Sequence, residues 1–199
     1  MFRMDKWFKI GWIYFFVMFL LEMWLPEWTG NENSIIENLQ MLWLVAGILY
    51  CFKMRRKKQL SYGGEVSKLW CSGIIYYFLL FMREISWGRV LFTSSSGGIM
   101  QYSEMGLYGK RVHPLVGCLI LIALVMLYYG KLWRVLSLIK LPIKSFVLLL
   151  LFIFMSWVGE RTNFTGFHGQ VAEELAEFGA YMMMFYITRD LGERMQRKL

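Results

Sequence analysis

Three groups of residues in this sequence carry the means for chemistry or ligand binding. The first is Glu160-Arg161, followed by His168, Glu173, Glu174 and Glu177. On a helix Glu173 and Glu177 stand at i and i+4, Glu174 and Glu177 at i and i+3, and Tyr181 continues the Glu173 face. A carboxylate-lined helix opening beside a histidine can hold a cation or work as a general acid–base pair. Glu173 and Glu174 also have a plainer explanation. Carboxylates in the first turn of a helix are favoured by its dipole, by about 0.3–1 kcal/mol each. That explanation does not reach Glu177, which lies deeper in a segment expected to cross lipid.

The second group is Arg83-Glu84-Ile85-Ser86-Trp87-Gly88-Arg89. Continued as a helix, it places Arg83 with Trp87, and Ser86 with Arg89, on shared faces. It reads in two ways. One is an interfacial anchor, with Trp87 in the aromatic belt and the charges among headgroups. The other is a buried ion-paired site, because charge held near lipid needs partners or water. In the third group, Ser34 and Glu37 have the spacing of a capping box. Asn38 and Gln40 run further into the same helix, where they need partners on other helices.

Sequence alone leaves the catalytic assignment open; the candidates are Glu84, His168 and Glu177. Arg83, Arg89, Glu160, Arg161, Glu173, Glu174 and Tyr181 are candidate ligand contacts. No metal and no cofactor is expected. The two histidines, His113 and His168, lie in different loops, and neither HExxH nor a paired Glu-x-x-His occurs. Phosphate loops, dinucleotide fingerprints and the GxSxG elbow are also missing. Cys51, Cys71 and Cys118 sit singly in apolar stretches and read as small buried hydrophobes.

These groups are carried on segments made for a bilayer. Charged residues are 18% of the chain and hydrophobic ones 57%, against roughly 25% charged in a soluble domain. The expected fold is all-α, an integral membrane helical bundle forming a single transmembrane domain over residues 1–199. About six spans are expected, near 7–25, 35–52, 66–88, 114–129, 142–159 and 171–188. The last has the shortest uncharged core. His113-Pro114 reads as the opening of the fourth span, since proline suits the first helical position. The loop over 93–112 is long enough to be functional, and its second half apolar enough to lie on the membrane. Glu22-Met-Trp-Leu-Pro26 offers no small-residue cleavage site, so the first apolar stretch reads as a retained helix.

Loop charge sets the orientation. If the spans alternate, 17 of the 22 Lys and Arg fall on the side that holds both termini, anchored by the run from Lys53 to Lys58. Cations favour the cytoplasm, so both termini are expected inside. Ten of the 14 acids fall on the opposite side, although acids contribute little to topology. The net charge of +8 is thus topological, and no nucleic-acid partner is expected. A short echo links Ile85-Ser-Trp-Gly-Arg89 with Met155-Ser-Trp-Val-Gly-Glu-Arg161, which leaves duplication open.

Glu84-Ile-Ser-Trp-Gly-Arg89 resembles the E-[IL]-S-W-G-[QR] signature of a family of small uncharacterised bacterial polytopic membrane proteins. Glu37-Asn38-Leu39-Gln40 and His168 ahead of Glu173-Glu174-x-x-Glu177 resemble looser features of that family. The resemblance spans about 31–181. It implies a bacterial inner membrane and a shared polar site, but supplies no reaction. Two histidines fall short of the set used by ceramidase-like membrane hydrolases.

The expected function is a sensory or accessory membrane protein with an outward-facing charged pocket. Its ligand would be a small polar molecule, a lipid headgroup or an ion, and its surroundings membrane lipid. The alternatives are a membrane-embedded hydrolase or transferase acting on a lipid or envelope substrate, and a small transporter. The apolar middles of the first, fourth and fifth spans speak against transport.

Overall fold

The computed structural model of the protein describes residues 3–30, 34–57, 63–91, 101–139, 141–161 and 169–198. Every regular element among them is helical: α1 (Arg3–Trp24), α2 (Ile35–Arg56), α3 (Gly63–Glu84), α4 (Gly106–Tyr129), α5 (Leu132–Leu138), α6 (Ile143–Arg161) and α7 (Gly169–Lys198). Short 3-10 turns lie at Glu27–Gly30 and Ser86–Leu91. Helices α1, α2, α3, α4 and α6 are long and apolar enough to cross a membrane. At 1.5 Å per residue, the 22 residues of α2 span about 33 Å, enough for a hydrocarbon core of about 30 Å.

The sixth expected span is found as α7, the longest helix at 30 residues, but it does not belong to this apolar set. Its physical situation is different. It buries Val171, Leu175, Ala176, Gly179, Ala180, Tyr181, Met182 and Met183 within one turn after another. A helix shielded by neighbouring helices has no need of a lipid-soluble surface.

The described chain forms two compact units. The first holds α1, α2 as far as Trp43, α6, and α7 as far as Met195. Its core is built on Phe152, Leu148, Met18 and Met183, all nearly or fully buried. Tyr14 and Phe15 of α1 and Phe178 of α7 complete an aromatic cluster, with Phe15 5.5 Å from Phe152 and Tyr14 5.4 Å from Phe178. Small residues let the helices close on one another. A Cβ on Gly179 would stand 2.5 Å from the Phe152 ring, and one on Gly11 would stand 2.6 Å from Leu148 and 2.7 Å from Met183. Such small-residue contacts bring the helix backbones close and gain dispersion energy along the seam.

The second unit holds α2 from Leu44, then α3, α4, α5 and the tail from Gln196. Helices α3 and α4 pack together extensively. Ser72 Oγ donates to the Ala123 carbonyl at 3.1 Å, and a Cβ on Gly130 would stand 2.5 Å from Leu69. Tyr77 fills the space beside Gly47.

Two helix boundaries near the candidate residues differ from the sequence expectation. Helix α3 ends at Glu84 rather than Gly88, because Ser86, Trp87 and Gly88 take positive φ of 44°, 54° and 83°. The face-sharing of Arg83 with Trp87, and of Ser86 with Arg89, is therefore lost. Helix α4 starts at Gly106, two turns ahead of His113, and Pro114 lies inside it. Proline removes one backbone donor, which an otherwise apolar helix of this length tolerates. The last part of the expected 93–112 loop, from Gly106 on, is thus helix, while residues 92–100 lie outside the described residues. The echo fails at the backbone: its first copy is a left-handed turn, its second a continuous stretch of α6.

Candidate functional site

The first unit gathers its polar residues where α1 and α6 end and α2 and α7 begin. Helix α1 brings Glu22 in its last turn, buried to 3% exposure. The 3-10 turn brings Thr29, whose hydroxyl donates to the Pro26 carbonyl at 2.7 Å. Helix α2 brings Ser34, Glu37 and Gln40, all buried. Helix α6 brings Ser156, and α7 brings Glu173, Glu174 and Glu177, all half-buried.

Direct contacts tie these elements together. A Cβ on Gly30 would stand 2.7 Å from the Val171 amide, so the 3-10 turn lies against the first turn of α7. One on Gly159 would stand 2.8 Å from the Glu173 amide and 3.0 Å from the Gly169 carbonyl, so α6 closes on the backbone of α7. Ser156 Oγ donates to Glu177 Oε1 at 3.4 Å, a long bond. One turn deeper, Tyr14 donates to the Leu175 carbonyl at 2.8 Å.

One bond of the expected capping box is seen directly. The Glu37 amide donates to Ser34 Oγ at 3.4 Å, and Asn38 Nδ2 donates to the Ser34 carbonyl at 2.8 Å. Gln40 finds the interhelical partner its position demands. Its Nε2 donates both to the Glu174 carbonyl and to Glu174 Oε2, each at 2.8 Å. These two acceptors fix the amide plane, since a flipped amide would set oxygen against oxygen. Its other arm, Oε1, is buried with no hydrogen-bond partner among the described residues, in a residue of 0% exposure. Such an orphaned acceptor costs about 1–3 kcal/mol.

Glu22, Glu37, Glu173, Glu174 and Glu177 are all engaged by neighbours, as the buried charges of Glu22 and Glu37 must be. Among the described residues no three His, Cys, Asp or Glu converge so as to hold a metal ion. The layer is thus an extended set of hydrogen-bond acceptors.

The remaining candidates fall elsewhere. Glu160 and Arg161 are exposed, and the Arg161 guanidinium lies over the Trp157 ring at 4.8 Å instead of on a carboxylate. Tyr181 is buried in the first unit. His168 lies outside the described residues, as do Asn163 and Thr165 of a glycosylation-type Asn-x-Thr.

Arg83, Glu84 and Arg89 belong to the second unit. Glu84 is buried and receives Arg83 Nε at 3.1 Å, while Arg83 itself is exposed. The left-handed turn that follows buries Trp87, whose carbonyl accepts Tyr108 Oη at 2.9 Å. Trp87 is therefore packed inside protein and is no interfacial anchor. Arg89 stacks on Tyr102 at 4.8 Å, and Tyr102 meets His113 edge-on at 5.4 Å.

Gln40, Glu22, Glu37 and Ser156 were not singled out as ligand contacts by sequence. The signal available was an amide two turns into an apolar helix, which needs a reason to be there. Compared with protein-family models, with curated proteins and with solved structures, the chain matches none.

Proposed function

We propose that this chain is a multi-pass membrane protein in which the acceptor layer of the first unit binds a small ligand rich in hydrogen-bond donors. A primary ammonium, as in ethanolamine, has that chemistry. The role would be sensory or accessory. The buried, unpartnered Gln40 Oε1 beside the Glu174 carboxylate carries this reading. An acceptor left open in a protein interior asks for a donor, and the carboxylates around it favour a cationic one.

The five apolar helices support a membrane location. The cation count supports both termini in the cytoplasm, and the signature at 84–89 favours a bacterial inner membrane. In that orientation α1 and α6 run outward, and the layer opens on the outer face.

The test is thermal unfolding of the full chain in neutral detergent with ethanolamine, with ammonium chloride, or with phosphatidylethanolamine micelles. The expected result is stabilisation of the native chain by at least one of them, and its loss in Q40L measured against its own baseline. Stabilisation by the lipid but not by free ethanolamine identifies a headgroup site. If none of the three raises the Tm, or if Q40L responds as the native chain does, the reading is wrong. A second reading rests on the Ser156–Glu177 contact, which sets a hydroxyl against a carboxylate base. In that enzyme reading, E177Q would abolish turnover of a lipid or envelope substrate while remaining folded.

A further inference from the structure

At the far end of α4 the chain turns sharply and sets a short helix beside exposed rings and cations. Gly130 ends α4, its amide donating to the Met126 carbonyl at 2.8 Å and its backbone held against Leu69. Lys131 follows with a φ of 49°, its ammonium paired with the Glu65 carboxylate of α3. Helix α5 is pinned at its other end by the tail, where Lys198 Nζ donates to the Leu138 carbonyl at 2.7 Å. The turn is therefore fixed on both sides.

What it presents is aromatic and basic. Tyr128, Tyr129 and Trp133 are 80%, 60% and 82% exposed. The Lys68 ammonium stands 5.5 Å over the Tyr129 ring, and Arg134 is exposed. The acid described in this turn, Glu65, is paired with Lys131 and lies in the field of Lys68 and Arg134 as well, so three cations face one carboxylate and the turn stays net positive. We propose that this shelf, formed by Tyr128, Tyr129 and Trp133 with Lys68 and Arg134, binds the phosphate headgroup of an anionic phospholipid in the bilayer.

Three observations carry the assignment. Helix α4 is exposed along its length and the most apolar of the candidate spans, so acyl chains lie along it. Amphipathic rings at the end of such a helix sit at headgroup depth. Lys68 stands over one of those rings and Arg134 follows Trp133 on α5, so the rings are accompanied by cations that attract a phosphate. Each cation near an anionic surface contributes about 1 kcal/mol, or about fivefold in affinity. The proposal rests on the membrane reading and not on the Gln40 layer.

The test reads Trp133 by difference, comparing the native chain with W133F in nanodiscs of phosphatidylcholine. A minority of brominated phosphatidylglycerol or of brominated phosphatidylcholine is then added. The expected result is stronger quenching of Trp133 by the anionic lipid. That preference should fall about fivefold for each charge removed in K68Q and R134Q, and should fall as salt is raised. Equal quenching by both lipids would overturn the proposal. So would protection of Trp133 from both, which would mean that a protein surface covers the shelf. If K68Q does not fold, R134Q alone with the salt titration decides: a preference indifferent to both refutes headgroup binding.

Discussion

Helices α4 and α7 are the two longest in the protein, with 24 and 30 residues, and they are opposite in kind. Helix α4 is apolar along its span and buries only Gly109 and Val112. Helix α7 carries three glutamates in its first three turns and ion pairs in its last, yet buries eleven residues. The difference lies in what surrounds each. Apart from the face that packs on α3, α4 is open surface, and that surface is apolar. For α7 the solvent is protein, so small side chains matter more, and carboxylates are tolerated where neighbours supply donors. Hydropathy detects the first situation and is blind to the second.

The sharpest way to break this contrast is to delete a large side chain on each side of it. Phe152, at 0% exposure, packs on α7 at Gly179. F152A is expected to cost roughly 3–5 kcal/mol, seen as a large fall in Tm and in monodisperse yield from detergent. L121A, on the 62%-exposed face of α4, is expected to stay within about 0.5 kcal/mol of the native chain. Similar costs at the two sites would mean that the Leu121 face of α4 is packed after all.

A gentler probe adds volume in place of removing it. A side chain at Gly159 meets the backbone of α7, at the Glu173 amide and the Gly169 carbonyl, and backbone cannot rotate away. G159V should cost about 1–3 kcal/mol and loosen the polar layer, because it separates α6 from α7. Gly117 on α4 has nothing within 4 Å of its Cβ position. G117A should be neutral or stabilising by up to about 0.5–1 kcal/mol, as glycine is a poor helix former. Thermal melts of the two variants side by side check the pair. Equal destabilisation would erase the contrast.

The sequence was legible where physics is local. Length and apolar composition locate α1, α2, α3, α4 and α6 to within a few residues at most ends, and Ser34 announces the start of α2. Gln40 declared itself as an amide in an apolar helix that must find a partner, though nothing local named Glu174. Non-local effects were hidden. Pro114 reads as a helix start because the sequence does not show how much helix precedes it. Helix α5 is too short for its seven residues to carry a periodic signal. The three-residue left-handed turn at 86–88 was concealed because only Gly88 hints at positive φ, whereas Ser86 and Trp87 ordinarily favour the right-handed region. The buried Trp87 and its Tyr108 bond, made 21 residues apart in sequence, hold them there.

That turn offers the smallest and most discriminating prediction, because there polar residues are positioned by backbone shape and not, as on α7, by a surrounding bundle. Ser86 sits at a φ of 44°, where a residue with a Cβ is disfavoured by roughly 1–2 kcal/mol. Glycine escapes that cost but loses about 0.5–1 kcal/mol through the greater freedom of the unfolded chain. The net for S86G is a stabilisation of about 0.5 kcal/mol, readable as a small rise in Tm. W87G would not report the same strain, because it also deletes a buried indole. If S86G instead destabilises the protein, Ser86 is in a right-handed conformation and α3 continues through Gly88. Arg83 and Trp87 would then share a helical face at the lipid boundary, and the end of α3 would resemble the lipid-facing α4 more than the protein-enclosed start of α7.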